Sequence, residues 1–220
     1  YLDYRIFHQD GSLSHDPYSF SSCFGKLDQY YFGKGVHYEL HHLLGGRLKE
    51  HEGILGASFT LWAPNASKVS IVGDFNHWNG EVNPLRKLGG CGIWEIFIPG
   101  LDKGQRYKFE ITDQKNKVTV KSDPYGLSFQ RRPETASVLD DPHLFSWSDE
   151  SWFEKRKNQN SLTIPMNTYE VHLGSWMRQD GEFMGYRDLA KSLAKYVLEM
   201  GFNYIELLPI TEHPLDESWG

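Results

Sequence analysis

The chain has 220 residues, 39% of them hydrophobic and 15% aromatic, with 23 basic and 29 acidic side chains and a net charge of −6. That is room for one large or two ordinary domains with a core, which excludes a disordered chain. The acidic balance without any basic stripe argues against nucleic acid and anionic membranes as partners, and no apolar run approaches the ~20 residues that span a bilayer.

Taken in order, residues 1–18 predict a hairpin: Tyr4-Arg5-Ile6-Phe7, a turn at Asp10-Gly11, then His15-Asp16-Pro17-Tyr18. Residues 107–125 repeat the pattern, with Tyr107-Lys108-Phe109-Glu110, a turn near Lys115-Asn116 and Ser122-Asp123-Pro124-Tyr125. The second copy closes a run of strands and the first has none before it. Residues 1–20 are therefore expected to be the tail of a preceding sandwich, and Tyr1, not methionine, suggests that the start has been removed. A chance match between two hairpins is the competing explanation. No signal peptide is visible. Cys23 and Cys91 are the only cysteines, which makes no disulfide framework and fits a reducing, cytoplasmic compartment.

Residues 21–50 read as a connector with a weak helical turn at Leu40, Leu43 and Leu44. His37 and His41 stand four apart and His42 follows, a spacing compatible with metal binding on a helix. No third ligand can be assigned, so they are read as surface and packing histidines and no metal is expected. Gly33-Lys34-Gly35 does not follow a strand and is no phosphate loop.

Residues 51–140 read as an all-β, immunoglobulin-like sandwich. Strands are expected at Ala57–Trp62, Lys68–Gly73, Ile93–Ile98, Arg106–Thr112 and Lys117–Lys121, separated by Pro64-Asn65, Asn79-Gly80, Gly89-Gly90 and Pro99-Gly100 turns. Alternation makes Trp94 a core residue. Residues 141–165 are an irregular, polar linker.

From residue 166 the pattern changes. Tyr169-Glu170-Val171-His172-Leu173 predicts a buried strand. Leu189, Leu193, Tyr196, Val197 and Met200 fall at helical spacing, and Gly201 occupies a C-cap position. Tyr204-Ile205-Glu206-Leu207-Leu208 predicts a second buried strand. Strand, helix and strand make one βαβ unit with parallel strands. His172 and Glu206 are read as structural.

Three places carry a chemical reading. In Gly73-Asp74-Phe75-Asn76-His77-Trp78-Asn79, an aromatic ring beside amides suits a sugar, whose C–H face packs on the ring while amides bond hydroxyls. A tryptophan folded down as a plug, with the asparagines making turns, fits equally well. Lys108 could face the same side, although alone it reads as a solvated strand residue. Glu212, His213, Asp216 and Trp219 follow the second parallel strand, where a (β/α)8 barrel builds its site, and form a possible active-site rim. They could also be loop residues capping neighbouring elements. Breaking a glycosidic bond needs two carboxylates, and nothing in the sequence selects a pair.

Several motifs together resemble bacterial 1,4-α-glucan (glycogen) branching enzymes of the α-amylase superfamily. They are Trp62-Ala63-Pro64-Asn65-Ala66, Val72 to Trp78, Gly92-Ile93-Trp94-Glu95, Lys121 to Tyr125 and Arg132 to Ser137. Further on come Tyr169 to Trp176, Glu206-Leu207-Leu208-Pro209-Ile210, Glu212-His213-Pro214 and Ser218-Trp219-Gly220. The resemblance implies a family 48 carbohydrate-binding module followed by the opening βαβ unit of a (β/α)8 barrel, at residues 166–220. It implies transfer of α-1,4-linked glucan to an α-1,6 branch, by a retaining mechanism whose aspartate nucleophile and glutamate acid/base are expected beyond Gly220. No catalytic residue is then expected in this chain, and the piece alone is expected to be inactive. The resemblance implies no cofactor, an α-glucan such as glycogen as partner, and a monomer.

In glucan-binding members of the module family, the tryptophan of the Phe-Asn-x-Trp motif and the lysine of the Tyr-Lys-Phe motif touch the sugar. These match Trp78 and Lys108, with Asn76 between the motif's aromatic residues. A second platform tryptophan has no counterpart around Val118 to Val120, which leaves bracing of the barrel as another role. A regulatory glucan-binding module, or the front end of a debranching or trehalose-forming enzyme, are the alternative functions.

Overall fold

The computed structural model describes residues 4–11, 13–131, 133–141, 145–159 and 163–211. The chain forms two compact units, Tyr1–Phe145 and Ser146–Gly220.

The first unit opens with a small antiparallel hairpin, β1 (Ile6–Phe7) and β2 (Leu13–Ser14). Its turn is closed by the Gly11 amide donating to the His8 carbonyl at 3.0 Å. Asp16 then caps a short turn at Pro17–Ser19 by accepting the Tyr18 amide at 2.9 Å. Helix α1 (Lys26–Lys34) follows and ends at Gly35, whose φ of +69° suits a glycine C-cap.

The sandwich proper has strands β3 (Gly45–His51), β4 (Ile54–Trp62), β5 (Ala66–Gly73), β6 (Arg86–Leu88), β7 (Ile93–Pro99), β8 (Arg106–Asp113), β9 (Val118–Lys121), β10 (Ser128–Phe129) and β11 (Ser137–Val138). One sheet has the order β3-β4-β7-β6 and the other β10-β11-β8-β5, with β9 also paired to β8, and every pairing is antiparallel. Period-2 alternation explains the layering. Ala57, Phe59 and Leu61 of β4 and Trp94, Ile96 and Ile98 of β7 point inward to meet Val69, Ile71, Tyr107 and Phe109 from the other sheet. Trp94 is buried there and donates its indole N–H to the Ala63 carbonyl at 2.9 Å.

Two sequence expectations change. The sandwich begins at Gly45, not at residue 51, because a strand made of Gly45-Gly46-Arg47-Leu48-Lys49-Glu50-His51 has no apolar alternation to reveal it. The segment before it is also more than a connector. Ile93, Glu95 and Phe97 point outward from β7 and are nevertheless buried. Phe24 and Leu44 cover Ile93, and Phe20 packs edge-on against Phe97 with ring centroids 4.8 Å apart. Residues 20–44 thus form a third layer over one sheet.

The second unit has helix α2 (Glu150–Lys157), strand β12 (Thr168–Val171), a helical turn α3 (Leu173–Trp176), a two-residue hairpin β13 (Arg178–Gln179) and β14 (Glu182–Phe183), helix α4 (Tyr186–Glu199) and strand β15 (Tyr204–Leu207). β12 and β15 pair in parallel, with Thr168 opposite Tyr204 and Val171 opposite Leu207. Leu189, Leu193 and Val197 of α4 are buried with Val171 and Leu173. Met200 lies past the helix end and is exposed, a departure from the expected apolar stripe. Gly201 (φ +80°) closes the helix, and the Phe202 amide reaches back to the Val197 carbonyl at 2.9 Å. Among the described residues, no helix is long and apolar enough to cross a membrane.

Candidate functional site

The loop between β5 and β6 starts as a tight turn at Asp74–Asn76 and then places two consecutive non-glycine residues, His77 (φ +54°) and Trp78 (φ +59°), in the left-handed region. Such residues cost of order 1 kcal/mol or more each and persist only where the surroundings hold them. Three sets of contacts do so. The Trp78 amide donates to the Gly73 carbonyl at 2.9 Å and the Asn79 amide to Asn76 at 3.1 Å. Asn76 lies underneath: its Oδ1 accepts the Gly73 amide, and its Nδ2 donates to the Ile71 carbonyl and to Asn83 Oδ1, each at 2.9 Å. The Glu110 carboxylate occupies the space above Gly80, where a side chain would collide with it.

The expectation that Asn76 touches sugar is therefore corrected. The residue is 5% exposed, and its amide is spent on the protein. It builds the loop, and Trp78 is what the loop displays. Trp78 is 40% exposed and donates its indole N–H to Asp74 Oδ1 at 3.1 Å. Asp74 is in turn gripped by Arg106, through Nε at 2.7 Å and Nη2 at 2.9 Å. These hydrogen bonds to Arg106, ahead of the opposing effect of burial, hold the Asp74 carboxyl below the usual carboxylate range, and the Trp78 bond adds to them.

Lys108 stands on the same strand as Arg106, two residues on. Tyr107 and Phe109 point into the core, so alternation sends Arg106 and Lys108 outward together. Lys108 lies opposite Val72 in the register, next to the Gly73–Tyr107 pair from which the Trp78 loop departs. Its ammonium donates to Thr135 Oγ1 at 2.6 Å. Trp78 and Lys108 thus belong to the outer face and one end of the same sheet. Two clefts of this unit lie elsewhere, one of about 410 Å³ lined by Leu48, Leu55 and Leu101 and one of about 330 Å³ lined by Tyr4, His15 and Phe20. An exposed tryptophan suits a polymer chain laid across it, whereas a small molecule is more often enclosed in a concave site.

Of the histidines, His37 is bonded to Asp28 at 2.9 Å and stacked on Phe24, a packing role. His41 and His42 are exposed and come together with Glu39, their ligand atoms within 4.8 Å of one another. In the second unit, His172 Nδ1 meets Ser175 Oγ at 2.9 Å, and Glu206 stands beside Glu170 across the parallel pair. The possible rim residues Glu212, His213, Asp216 and Trp219 lie outside the described residues. What the sequence reading missed are Asp74 and Arg106. Asp74 stands inside the quoted motif, but its partner is 32 residues away and only the β5–β8 register brings it close.

Residues 44–126 match the family model for carbohydrate-binding module 48, the isoamylase N-terminal domain. Over its full length the chain is 58% identical to a 1,4-alpha-glucan branching enzyme of Protochlamydia amoebophila, of which it spans 30%. Two solved structures share the fold: one from Salmonella typhimurium whose name proposes an alpha amylase (TM-score 0.58, 21% identity, 81% of this chain and 26% of that one), and a GBS pullulanase solved with maltotetraose (TM-score 0.52, 21% identity, 76% and 24%). Along its whole length the chain is thus similar to part of a 1,4-alpha-glucan branching enzyme.

Proposed function

We propose that this chain is part of a glycogen branching enzyme, in which the first unit reads α-glucan and the second begins the catalytic barrel. The observation that carries the reading is one polypeptide joining an antiparallel sandwich that displays Trp78 to a parallel strand-helix-strand unit, β12-α4-β15. A binding module working alone has no use for the second part, and this favours the enzyme over a regulatory glucan-binding protein. The names of the relatives support the substrate class.

In this reading a glucose ring stacks its C–H face on the Trp78 indole, and the Lys108 ammonium donates to a sugar hydroxyl. The reaction is chain transfer. A carboxylate displaces the α-1,4 link to form a glycosyl-enzyme intermediate while a second carboxylic acid protonates the leaving oxygen. A 6-hydroxyl of another chain then attacks, deprotonated by that second group. Retention needs the two carboxyl groups about 5 Å apart. They are expected beyond Gly220, with Glu212, His213, Asp216 and Trp219 at the rim, so the 220-residue chain should be inactive alone. It is proposed to act as a cytoplasmic monomer without a cofactor.

The test is chain transfer by the full-length enzyme on linear α-1,4-glucan, followed by isoamylase digestion to count branches. Wild-type branching and a raised KM in Trp78→Ala support the reading. An absence of new α-1,6 links from the wild type would refute it.

A further inference from the structure

The neighbourhood of Trp78 holds an ion pair that neither the family match nor the sugar-stacking geometry requires. Three observations converge on it. The indole N–H of Trp78, normally a sugar-facing or water-facing donor, is committed to Asp74 at 3.1 Å. Asp74 uses both carboxylate oxygens on Arg106, at 2.7 Å and 2.9 Å, the planar bidentate arrangement that fixes direction as well as distance. The backbone at His77 and Trp78 sits in the left-handed region, which aims the side chain and leaves the ring alone to be fixed by other contacts.

From this we propose, resting on the glucan-binding reading above, that Asp74 and Arg106 are positioning residues that hold the Trp78 indole in its binding orientation. A large side chain on an open surface otherwise samples several rotamers, and binding must then order it. Here the chain Arg106–Asp74–Trp78 ties the ring edge to β8, a strand buried on its other side through Tyr107 and Phe109. The anchored edge belongs to a side chain that is 40% exposed. Because Arg106 and Lys108 share a strand face, the same strand sets the platform and the cationic donor beside it. The anchor also shapes specificity. With the indole N–H occupied, the tryptophan offers a face and no donor, so hydroxyl recognition falls to Lys108.

The test uses the 220-residue chain with Asp74→Ala, Arg106→Ala, Arg106→Lys and Trp78→Ala, titrated with maltoheptaose, with thermal unfolding as a fold check. The indole N–H resonance of Trp78 is followed for solvent exchange. Asp74→Ala and Arg106→Ala should unfold near the wild-type temperature and bind about three- to tenfold more weakly, the cost of ordering one large side chain. Their Trp78 N–H should exchange faster, and Arg106→Lys should recover part of both effects. Where Asp74→Ala fails to fold, Arg106→Ala, which leaves the loop residues unchanged, carries both readings. Wild-type affinity in both alanine variants, with binding lost in Trp78→Ala, would overturn the positioning role and leave the glucan site standing. Undiminished binding in Trp78→Ala would overturn the glucan site itself. The positioning role would fall with it, since no binding orientation would be left for Asp74 and Arg106 to hold.

Discussion

The Tyr107 hydroxyl donates to Asp123 Oδ2 at 2.6 Å in the buried centre of the first unit, and Tyr4 makes the same bond to Asp16 Oδ2 in the small hairpin that precedes it. The likeness extends further. Asp123 Oδ1 accepts the Tyr125 amide at 2.8 Å, and Asp16 Oδ1 accepts the Tyr18 amide at 2.9 Å. In each, a tyrosine at the start of a hairpin reaches over to the aspartate of the Asp-Pro-Tyr that ends it. The two hairpins thus share a bonding pattern as well as a sequence pattern. Only the second is buried, and their consequences differ accordingly.

Asp123 is 2% exposed and also accepts the Gly46 amide at 2.8 Å. Gly45 (φ +82°) has Asp123 pressed against the place a Cβ would fill. Burial, with the neighbouring Asp123 charge and hydrogen bond behind it, pushes the Tyr107 hydroxyl well above its ordinary pKa, so it remains a donor at any working pH. Tyr107→Phe should cost about 1–2 kcal/mol, and Asp123→Ala more, about 3 kcal/mol, because it strands several donors at once. Tyr4→Phe in the exposed hairpin should be near neutral. Urea unfolding of the three variants checks the ranking.

Glu95 anchors the third layer. It is fully buried and accepts Ser22 Oγ at 2.8 Å and the Cys23 amide at 2.7 Å, while Arg86 holds the Phe20 carbonyl at 2.7 Å. Glu95→Ala should release residues 20–44 from β7 at a cost of about 2–4 kcal/mol. Trypsin cleavage after Lys26 or Lys34 should accelerate well before the sandwich core unfolds. Cleavage at the wild-type rate would show that the apolar contacts of Phe20 and Phe24 suffice.

The pH response of the Trp78 site follows from Asp74. Its carboxyl is depressed in the folded chain by the hydrogen bonds from Arg106, so the stabilisation is complete above the ordinary aspartate value of about 3.9 and is lost as pH falls through the lower, folded value. Glucan affinity attributable to Asp74 should be flat from pH 7 to about 5 and fall only below about pH 4. Arg106 stays charged throughout, the Glu134 charge acts on Arg106, and the exposed His77 precedes Trp78 in the loop itself. A loss centred near neutrality would come from another group, and Asp74→Asn would then leave it in place.

The second unit has a thinner core than the first. Val171, Leu173, Leu189, Leu193 and Val197 make up its buried cluster, while Tyr204, Ile205 and Leu207 of β15 are exposed. Amide exchange should be markedly faster in β12 and β15 than in β4 and β7, and Leu193→Ala should remove about 2–4 kcal/mol and unfold this unit alone. Protection equal to that of the sandwich core would contradict this.

Much of this was legible in the sequence, and the exceptions share a cause. Strands β4, β5, β7 and β8 announce themselves by alternation and by turn residues between them, and α4 by its spacing and Gly201. β3 does not, since its core-facing side begins with Gly46 and offers Leu48 as its one large apolar residue. The third layer does not either, because Phe20, Phe24 and Leu44 are scattered and only packing gathers them onto one face. Within the site, Trp78 and Lys108 carry local signals. Asn76 carries a misleading one: a loop asparagine reads as exposed, and its burial depends on Asn83 and the end of β5 closing around it. The Asp74–Arg106 pair is invisible before the strands are in register.

The most direct measurement is affinity electrophoresis of the 220-residue chain in glycogen beside Trp78→Ala. Retardation of the wild type, abolished by the substitution while thermal stability is unchanged, is the expected result. Equal retardation of both would place binding elsewhere, retardation of neither would leave the sandwich with a structural role, and either result would contradict the proposed glucan-reading role of the first unit.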